Sequence, residues 1–211
     1  MASPWLSIPA GSASQNQPLF AMSVESSSSK RALRAELRAA RDALPPRQRQ
    51  DCVRRATLHL ESCTPWDEAC TIAGYLPHQS EFDPLTMMQD ALARGVRVVC
   101  PRVVGETLSF HEWQPGDPTE TTIGGVSQPT DRGSVISAEE INLFITPLLG
   151  VGKDGIRLGY GGGFYDRLFA QAEGFRLGVG YVMQQVNQWE TEAHDQKLDA
   201  FLSEEGLTVF T

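Results

Sequence analysis

The chain reads as an α/β protein of three layers, with a largely parallel central sheet and helices on both faces. Three observations predict this. The apolar runs TIAGYL at 71–76, VRVVCP at 96–101 and LFITPLL at 143–149 are nearly continuous rather than alternating, as strands covered on both faces are. Stretches of helical periodicity lie between such runs, as crossovers between parallel strands require. The length, 211 residues with 41% hydrophobic and 21% charged, suits a single domain of mixed topology with a real core.

Taken in order, residues 1–29 are rich in Ser, Pro, Gln and Ala and show no periodicity, which predicts a disordered extension ahead of one catalytic domain over 30–211. They contain no Lys or Arg, so they have neither the charged start of a signal peptide nor the Arg content of a transit peptide, and a cytoplasmic location is expected. Met22 is a candidate start of translation. Ser29 is a plausible N-cap, followed by a helix over Lys30–Leu44. In it Leu33, Leu37, Ala40 and Leu44 form an apolar stripe, and Arg34, Arg38 and Arg41 a basic one. Pro45-Pro46 ends this helix, and Pro46 opens a second through about Leu60, with Val53, Ala56 and Leu60 inward.

A strand is then expected at Thr71–Leu76, a helix at Pro84–Arg94 ending at Gly95, and strands at Val96–Pro101 and Thr107–Trp113. Residues 114–134 carry three Pro and four Gly and read as turns. A buried strand at Leu143–Leu149, a helix at Phe164–Ala172, a strand at Arg176–Val182 and a last strand at Leu207–Phe210 complete the pattern.

Charge limits the functional classes. The net charge of −8 argues against broad adhesion to nucleic acid. The basic residues are nevertheless concentrated: Lys30–Arg55 holds nine against three acidic ones, the rest of the chain nine against twenty-three. Such a segment is either a solvated helix face or an anion-binding edge. Cys52, Cys63, Cys70 and Cys100 form no CxxC pair and have no His at metal-ligand spacing, so free thiols are expected and zinc is not. No run approaches the roughly 20 apolar residues needed to cross a bilayer as a helix.

Chemistry concentrates in ITPLLGVGKDGIRLGYGGGFYDR, residues 145–167. Gly159, Gly161, Gly162 and Gly163 precede a helix, and glycines there let several backbone N–H groups converge on an anion such as phosphate. A tight turn with no ligand would need the same glycines. Arg157 at the loop's entrance could clamp phosphate, and Asp166 in the first helical turn could favour the helix dipole or hold Mg²⁺. The segment is neither a Walker A loop nor a dinucleotide-binding fingerprint.

RLGYGGGFYDR resembles the signature of the 5-formyltetrahydrofolate cyclo-ligase family. The likeness runs from Lys30 to near Gly206 through KRALRAEL, YLPHQSEFDP, VVCPRV, SQP, FITPLLGVGKDG and HDQKLDAFLSEEG in order. It implies the three-layer architecture shared with sugar-phosphate isomerases and CoA transferases. The activity implied is the ATP-dependent conversion of 5-formyltetrahydrofolate to 5,10-methenyltetrahydrofolate, ADP and phosphate, by phosphorylation of the formyl oxygen. By position, Lys30, Arg31, Ala32, Leu33 and Arg34 would contact ATP, with Arg157, Leu158, Gly159, Tyr160, Gly161, Gly162, Gly163, Phe164 and Tyr165 around its phosphates. Lys30 and Arg157 would stabilise phosphate charge, with no covalent nucleophile. Leu76 and Glu81 would line the folate pocket together with Tyr160, Gly161, Gly162, Gly163 and Phe164. Asp166 and Asp199 would serve Mg²⁺, and His194-Asp195 is expected to be a capping pair. Phe164 stands where the family usually has Tyr, and Gly124 where some members have Trp. The expected partners are folate and ATP, with no nucleic acid or membrane, and the chain is expected to be a monomer. An alternative is a module that binds RNA or another acidic partner through residues 30–55.

Overall fold

A computed structural model of the chain describes residues 29–187 and 189–210. The extension expected to be disordered, and the candidate start at Met22, lie outside the described residues apart from Ser29. That serine does cap the first helix, its Oγ accepting from the Ala32 N–H.

Strands β1 (Thr71–Ala73), β2 (Arg97–Val104), β7 (Leu143–Pro147), β10 (Phe175–Val179) and β12 (Ala200–Ser203) form a parallel core in the order β12-β10-β7-β1-β2. Antiparallel strands extend it: β13 (Gly206–Val209) at one edge, β3 (Thr107–Glu112) and β6 (Val135–Ile136) at the other. The continuous apolar runs pair as expected, with Ile72 opposite both Val98 and Leu143.

Strand alternation divides these runs between two faces. On one face Ile72, Val98, Leu143, Ile145, Leu177 and Leu202 meet Val53, Ala56, Trp66, Met87, Met88 and Ala91. These come from α2 (Pro46–Leu58), α3 (Thr64–Glu68) and α4 (Leu85–Ala93). On the other face Ala73, Val99 and Phe144 pack with Phe169 of α5 (Phe164–Phe169) and with Ala172. The three-layer expectation is met.

The first helix, α1 (Lys30–Asp42), lies elsewhere. Its Leu33 and Leu37 pack on Leu158, Val186 and Trp189, over a small sheet of β8 (Gly150–Gly152), β9 (Arg157–Leu158) and β11 (Gln185–Val186). Gly150 allows the close approach, since a Cβ there would stand 2.8 Å from Leu37 Cδ1. The glycine loop leaves β9, so α1 is laid alongside it.

Several boundaries differ from expectation. The strand after residue 70 is only Thr71–Ala73, because the chain turns away into the 74–84 loop. The strand expected at Leu143–Leu149 ends at Pro147. Strand β12 was not foreseen: its four residues are too few to show a period. The turn-rich 114–134 segment contains a hairpin of β4 (Thr119–Thr121) and β5 (Ser127–Pro129), whose TET strand is wholly exposed and so shows no apolar alternation.

Candidate active site

The loop after β9 is shaped by its glycines. Gly161 has φ 99° and Gly163 φ 68°, the left-handed region that side chains disfavour. A Cβ on Gly159 would stand 2.5 Å from Arg157 Nη1. The loop carbonyls are held from outside: Arg34 Nε donates to Gly159 O at 2.8 Å, and Arg167 Nη2 to Gly162 O at 2.9 Å. Among the described residues no acceptor engages the N–H groups of Gly161, Gly162 or Gly163. The outcome is a loop with pinned carbonyls and free amide donors, an arrangement suited to an anion.

Arg157, expected to clamp phosphate from the loop's entrance, lies under the loop in this structure. Its side chain is buried beneath the loop, the residue being 5% exposed. Nη2 donates to Asp166 Oδ1 at 3.1 Å and Nη1 to the Pro147 carbonyl at 3.3 Å. The guanidinium lies 5.2 Å from the centroid of the Tyr165 ring, and its buried Nε has no partner. Arg157 thus braces Asp166 and the floor of the loop.

The basic stripe of α1 does not face solvent as one surface. Lys30 Nζ pairs with Glu192 at 2.5 Å and with Asp195 Oδ2 at 2.7 Å. Burial opposes the charge on Lys30, but these two carboxylates outweigh it and raise the lysine pKa. Arg38 lies over the Tyr160 ring at 5.6 Å. Arg41, placed by its spacing on the basic face, is 2% exposed, because Leu33, Leu37 and Arg41 at four-residue steps form the buried line. Of the remaining N-terminal residues, Arg31 and Ala32 are exposed and Leu33 belongs to the packing under α1.

Asp199, expected to serve Mg²⁺, is engaged by the backbone. Its Oδ2 accepts from the Arg176 N–H at 2.7 Å, while its own N–H and carbonyl bond to Arg176 and Phe210. It fastens the starts of β10 and β12 rather than standing with Asp166. The acidic group beside Lys30 is instead Glu192 and Asp195, where with His194 the ligand atoms lie within 4.8 Å of one another. Asp195 also accepts from the Glu192 N–H at 2.7 Å, the capping role expected of His194-Asp195.

At the other end of the loop lies the 75–84 segment, beyond the carboxyl end of β1, the edge where open parallel sheets bind ligands. Glu81 Oε2 accepts from the His78 N–H at 2.9 Å, and the Glu81 N–H returns to His78 O at 3.1 Å. Gln79 inside this turn has φ 55°, unusual for a residue with a side chain. Leu76 is half-buried against the core.

All four tyrosines of the chain gather around this turn. Tyr75 Oη donates to Phe82 O at 2.6 Å and Tyr181 Oη to Glu81 O at 3.3 Å. Burial, then the Glu81 carboxylate, raises the Tyr160 phenol above its ordinary range, and the same two causes act on Tyr75. Burial outweighs the Arg157 charge to raise Tyr165, and burial raises Tyr181 to about 12. The phenols therefore stay protonated. Phe164 is half-buried, with Arg167 5.2 Å from its ring centroid.

A model of the 5-formyltetrahydrofolate cyclo-ligase family matches residues 26–204. The chain belongs to that family. Among similar cyclo-ligases are those of Haemophilus influenzae, 30% identical with 79% of this chain and 92% of the relative covered, and of Escherichia coli K12, 27% identical with 79% and 96% covered. A solved 5,10-methenyltetrahydrofolate synthetase from Aquifex aeolicus shares the fold at TM-score 0.75 and 24% identity, covering 85% of this chain and 92% of that one. One from Mycoplasma pneumoniae does so at 0.69 and 24%, covering 83% and 98%.

Arg41, Tyr75, Tyr181, Ser80 and Asp195 were missed as site residues. Arg41 had a usable signal, since it continues the four-residue step of Leu33 and Leu37. The tyrosines had none, being scattered from position 75 to 181 and joined only by the fold.

Proposed function

We propose that the chain closes the ring of 5-formyltetrahydrofolate at the expense of ATP, with the triphosphate on the glycine loop and the folate beside it around Glu81. The observation that carries this is Tyr160, which sits within the glycine loop yet meets Arg41, whose Nε bonds Ser80 of the 78–81 turn. The phosphate loop and the tyrosine-lined turn therefore border one space.

The chemistry explains the need for both halves. A formamide carbon is a poor electrophile and its oxygen a poor leaving group. Moving the γ-phosphoryl of ATP to that oxygen corrects both; N10 then attacks the carbon, and the oxygen leaves as phosphate. Such a transfer asks the protein for position and charge rather than covalent help. The free amides at 161–163 receive the phosphates, and Arg34 holds the loop in shape from α1. Lys30 exchanges its carboxylate partners for phosphate oxygens. Glu81 and the surrounding phenols orient the pterin, and Phe164 offers a ring face without a hydroxyl.

Magnesium takes oxygen ligands, and the residues present fit one. Asp166 has only Oδ1 engaged by Arg157, and Asp195 and Glu192 lie together at the Lys30 end. Once bound there, the ion would neutralise charge between phosphates. Asp166 and Asp195 are the residues we assign to it.

All these groups come from one chain, in keeping with a monomer. The described cysteines are free, which accords with a reducing cytoplasm, and among the described residues no helix is long and apolar enough to cross a membrane. The arginine stripe of α1 is turned toward the loop at Arg34, Arg38 and Arg41, so little in the structure favours a nucleic-acid module.

The test is direct. Protein, Mg-ATP and 5-formyltetrahydrofolate are mixed, and the near-ultraviolet absorbance of the methenyl product is followed. Growth that requires all three supports the assignment, and a flat trace overturns it. Glu81→Gln should raise the KM for folate more than that for ATP; the reverse would remove Glu81 from the folate side.

A further inference from the structure

Arg41 is a cation held in an unusual way. It is 2% exposed, yet among the described residues no carboxylate oxygen lies within ion-pair distance of it. A buried charge without a counter-charge is costly unless its hydrogen bonds are well placed. Those of Arg41 are: Nη1 donates to Tyr160 Oη at 2.6 Å and Nε to Ser80 Oγ at 3.0 Å. Its guanidinium carbon also lies 5.7 Å from the Tyr160 ring centroid. The Ser80 hydroxyl donates to Asp42 Oδ1, so the serine oxygen is left to accept from Arg41.

The donor logic runs one way. A guanidinium donates only and cannot lose its charge in this range, so Tyr160 must accept from it. The phenol proton is then left free for another acceptor, and the Glu81 carboxylate is close enough to raise the phenol. At the same time Ser80 is held between Gln79, with its φ of 55°, and Glu81 itself. One side chain of α1 therefore holds both the Tyr160 phenol of the glycine loop and Ser80, the chain neighbour of Glu81 in the turn.

We propose that Arg41 is the positioning residue of the folate half of the site, fixing Tyr160 and the 78–81 turn so that the Glu81 carboxylate meets the pterin in a single orientation. It acts through these neighbours and touches neither the phosphates nor the reacting atoms. The proposal rests on the folate pocket assigned above.

The experiment compares wild type with Arg41→Lys, Tyr160→Phe and the double variant. Binding of 5-formyltetrahydrofolate and of Mg-ATP is measured separately by calorimetry, each protein is checked for folding by circular dichroism, and steady-state KM values are taken for both substrates. Lysine keeps the charge but cannot make both bonds at the guanidinium spacing. We expect Arg41→Lys to weaken folate binding about tenfold and ATP binding less than about twofold. Tyr160→Phe should do much the same, and the double variant should be no worse than the poorer single one, as members of one chain of contacts behave. Equal losses for both ligands, or additive effects in the double variant, would overturn the proposal. Should Arg41→Lys fail to fold, Ser80→Ala carries the same expectation for folate against ATP. A wild-type protein that binds neither ligand would instead remove the cyclo-ligase assignment on which the proposal stands.

Discussion

The two ends of α1 each present a cation to the active site, and they are held by opposite means. At the amino end, Lys30 meets Glu192 and Asp195, with the Glu192 side chain 58% exposed. At the carboxyl end, Arg41 is sealed in, bonded to two hydroxyls. The Lys30 and Asp195 side chains are mostly covered, but the Glu192 half of the cluster is solvated and has little net strength, so that partner can be traded for a ligand's oxygen at small cost. A buried guanidinium tied to neutral groups has no such exchange open to it. The first end is built to be reorganised by substrate, the second to stay as it is.

The sharpest way to break this contrast is Arg41→Ala. It empties a buried site and takes away the donor to both the buried Ser80 hydroxyl and the Tyr160 phenol, and we expect a loss of about 2–4 kcal/mol in urea denaturation. A loss below about 0.5 kcal/mol would mean that the carboxyl end is as adaptable as the other.

Lys30→Ala tests the opposite end. Turnover should fall by about a hundredfold while the urea midpoint moves less than in Arg41→Ala, since the Glu192 half of the lost cluster is solvated and the lost function is phosphate charge. A large shift of the midpoint would make Lys30 a structural residue.

Asp195→Asn and Asp199→Asn separate the two carboxylates. The first should raise the KM for Mg-ATP by about tenfold, with a matching rise in the magnesium needed for half-maximal rate. The second should leave the magnesium requirement unchanged, because Asp199 serves the Arg176 N–H. Equal magnesium dependence in the two variants would undo the reassignment.

The smallest effect is that of acid. The Lys30 hydrogen bond holds Glu192 below the ordinary carboxylate range. For Asp195, the Glu192 N–H and Lys30 overcome a burial that acts the other way. Depressed carboxylates stabilise the fold fully above their unfolded pKa values, and that contribution drains as pH falls through the lower folded ones. The amino end of α1 should therefore loosen below the usual carboxylate range, seen as faster amide exchange at residues 32–36. Exchange near Arg41, which has no carboxylate partner among the described residues, should lag behind. Simultaneous loosening would blur the contrast.

Much of this was legible beforehand. The unbroken apolar runs gave a parallel sheet because strands covered on both faces have no polar side to show, and Gly161 and Gly163 marked backbone that only glycine adopts readily. The ordered motifs from Lys30 to Gly206 pointed to the family. The placement of charge was not legible in the same way. Arg34, Arg38 and Arg41 look alike in sequence, but one holds a carbonyl, one lies over a ring and one is buried.

Local periodicity reports which side of an element is apolar, and so the amino-acid order was enough for the layers, the glycine loop and the amphipathic first helix. Which polar groups meet depends on contacts between residues far apart in the chain. Arg41 and Tyr160 are separated by 119 positions, and Lys30 and Asp195 by 165. No pattern within a helix or a strand encodes such a pairing. The burial of Arg41 and Arg157, the sheet-end role of Asp199 and the gathering of four tyrosines around Glu81 were settled only when packing brought those segments together.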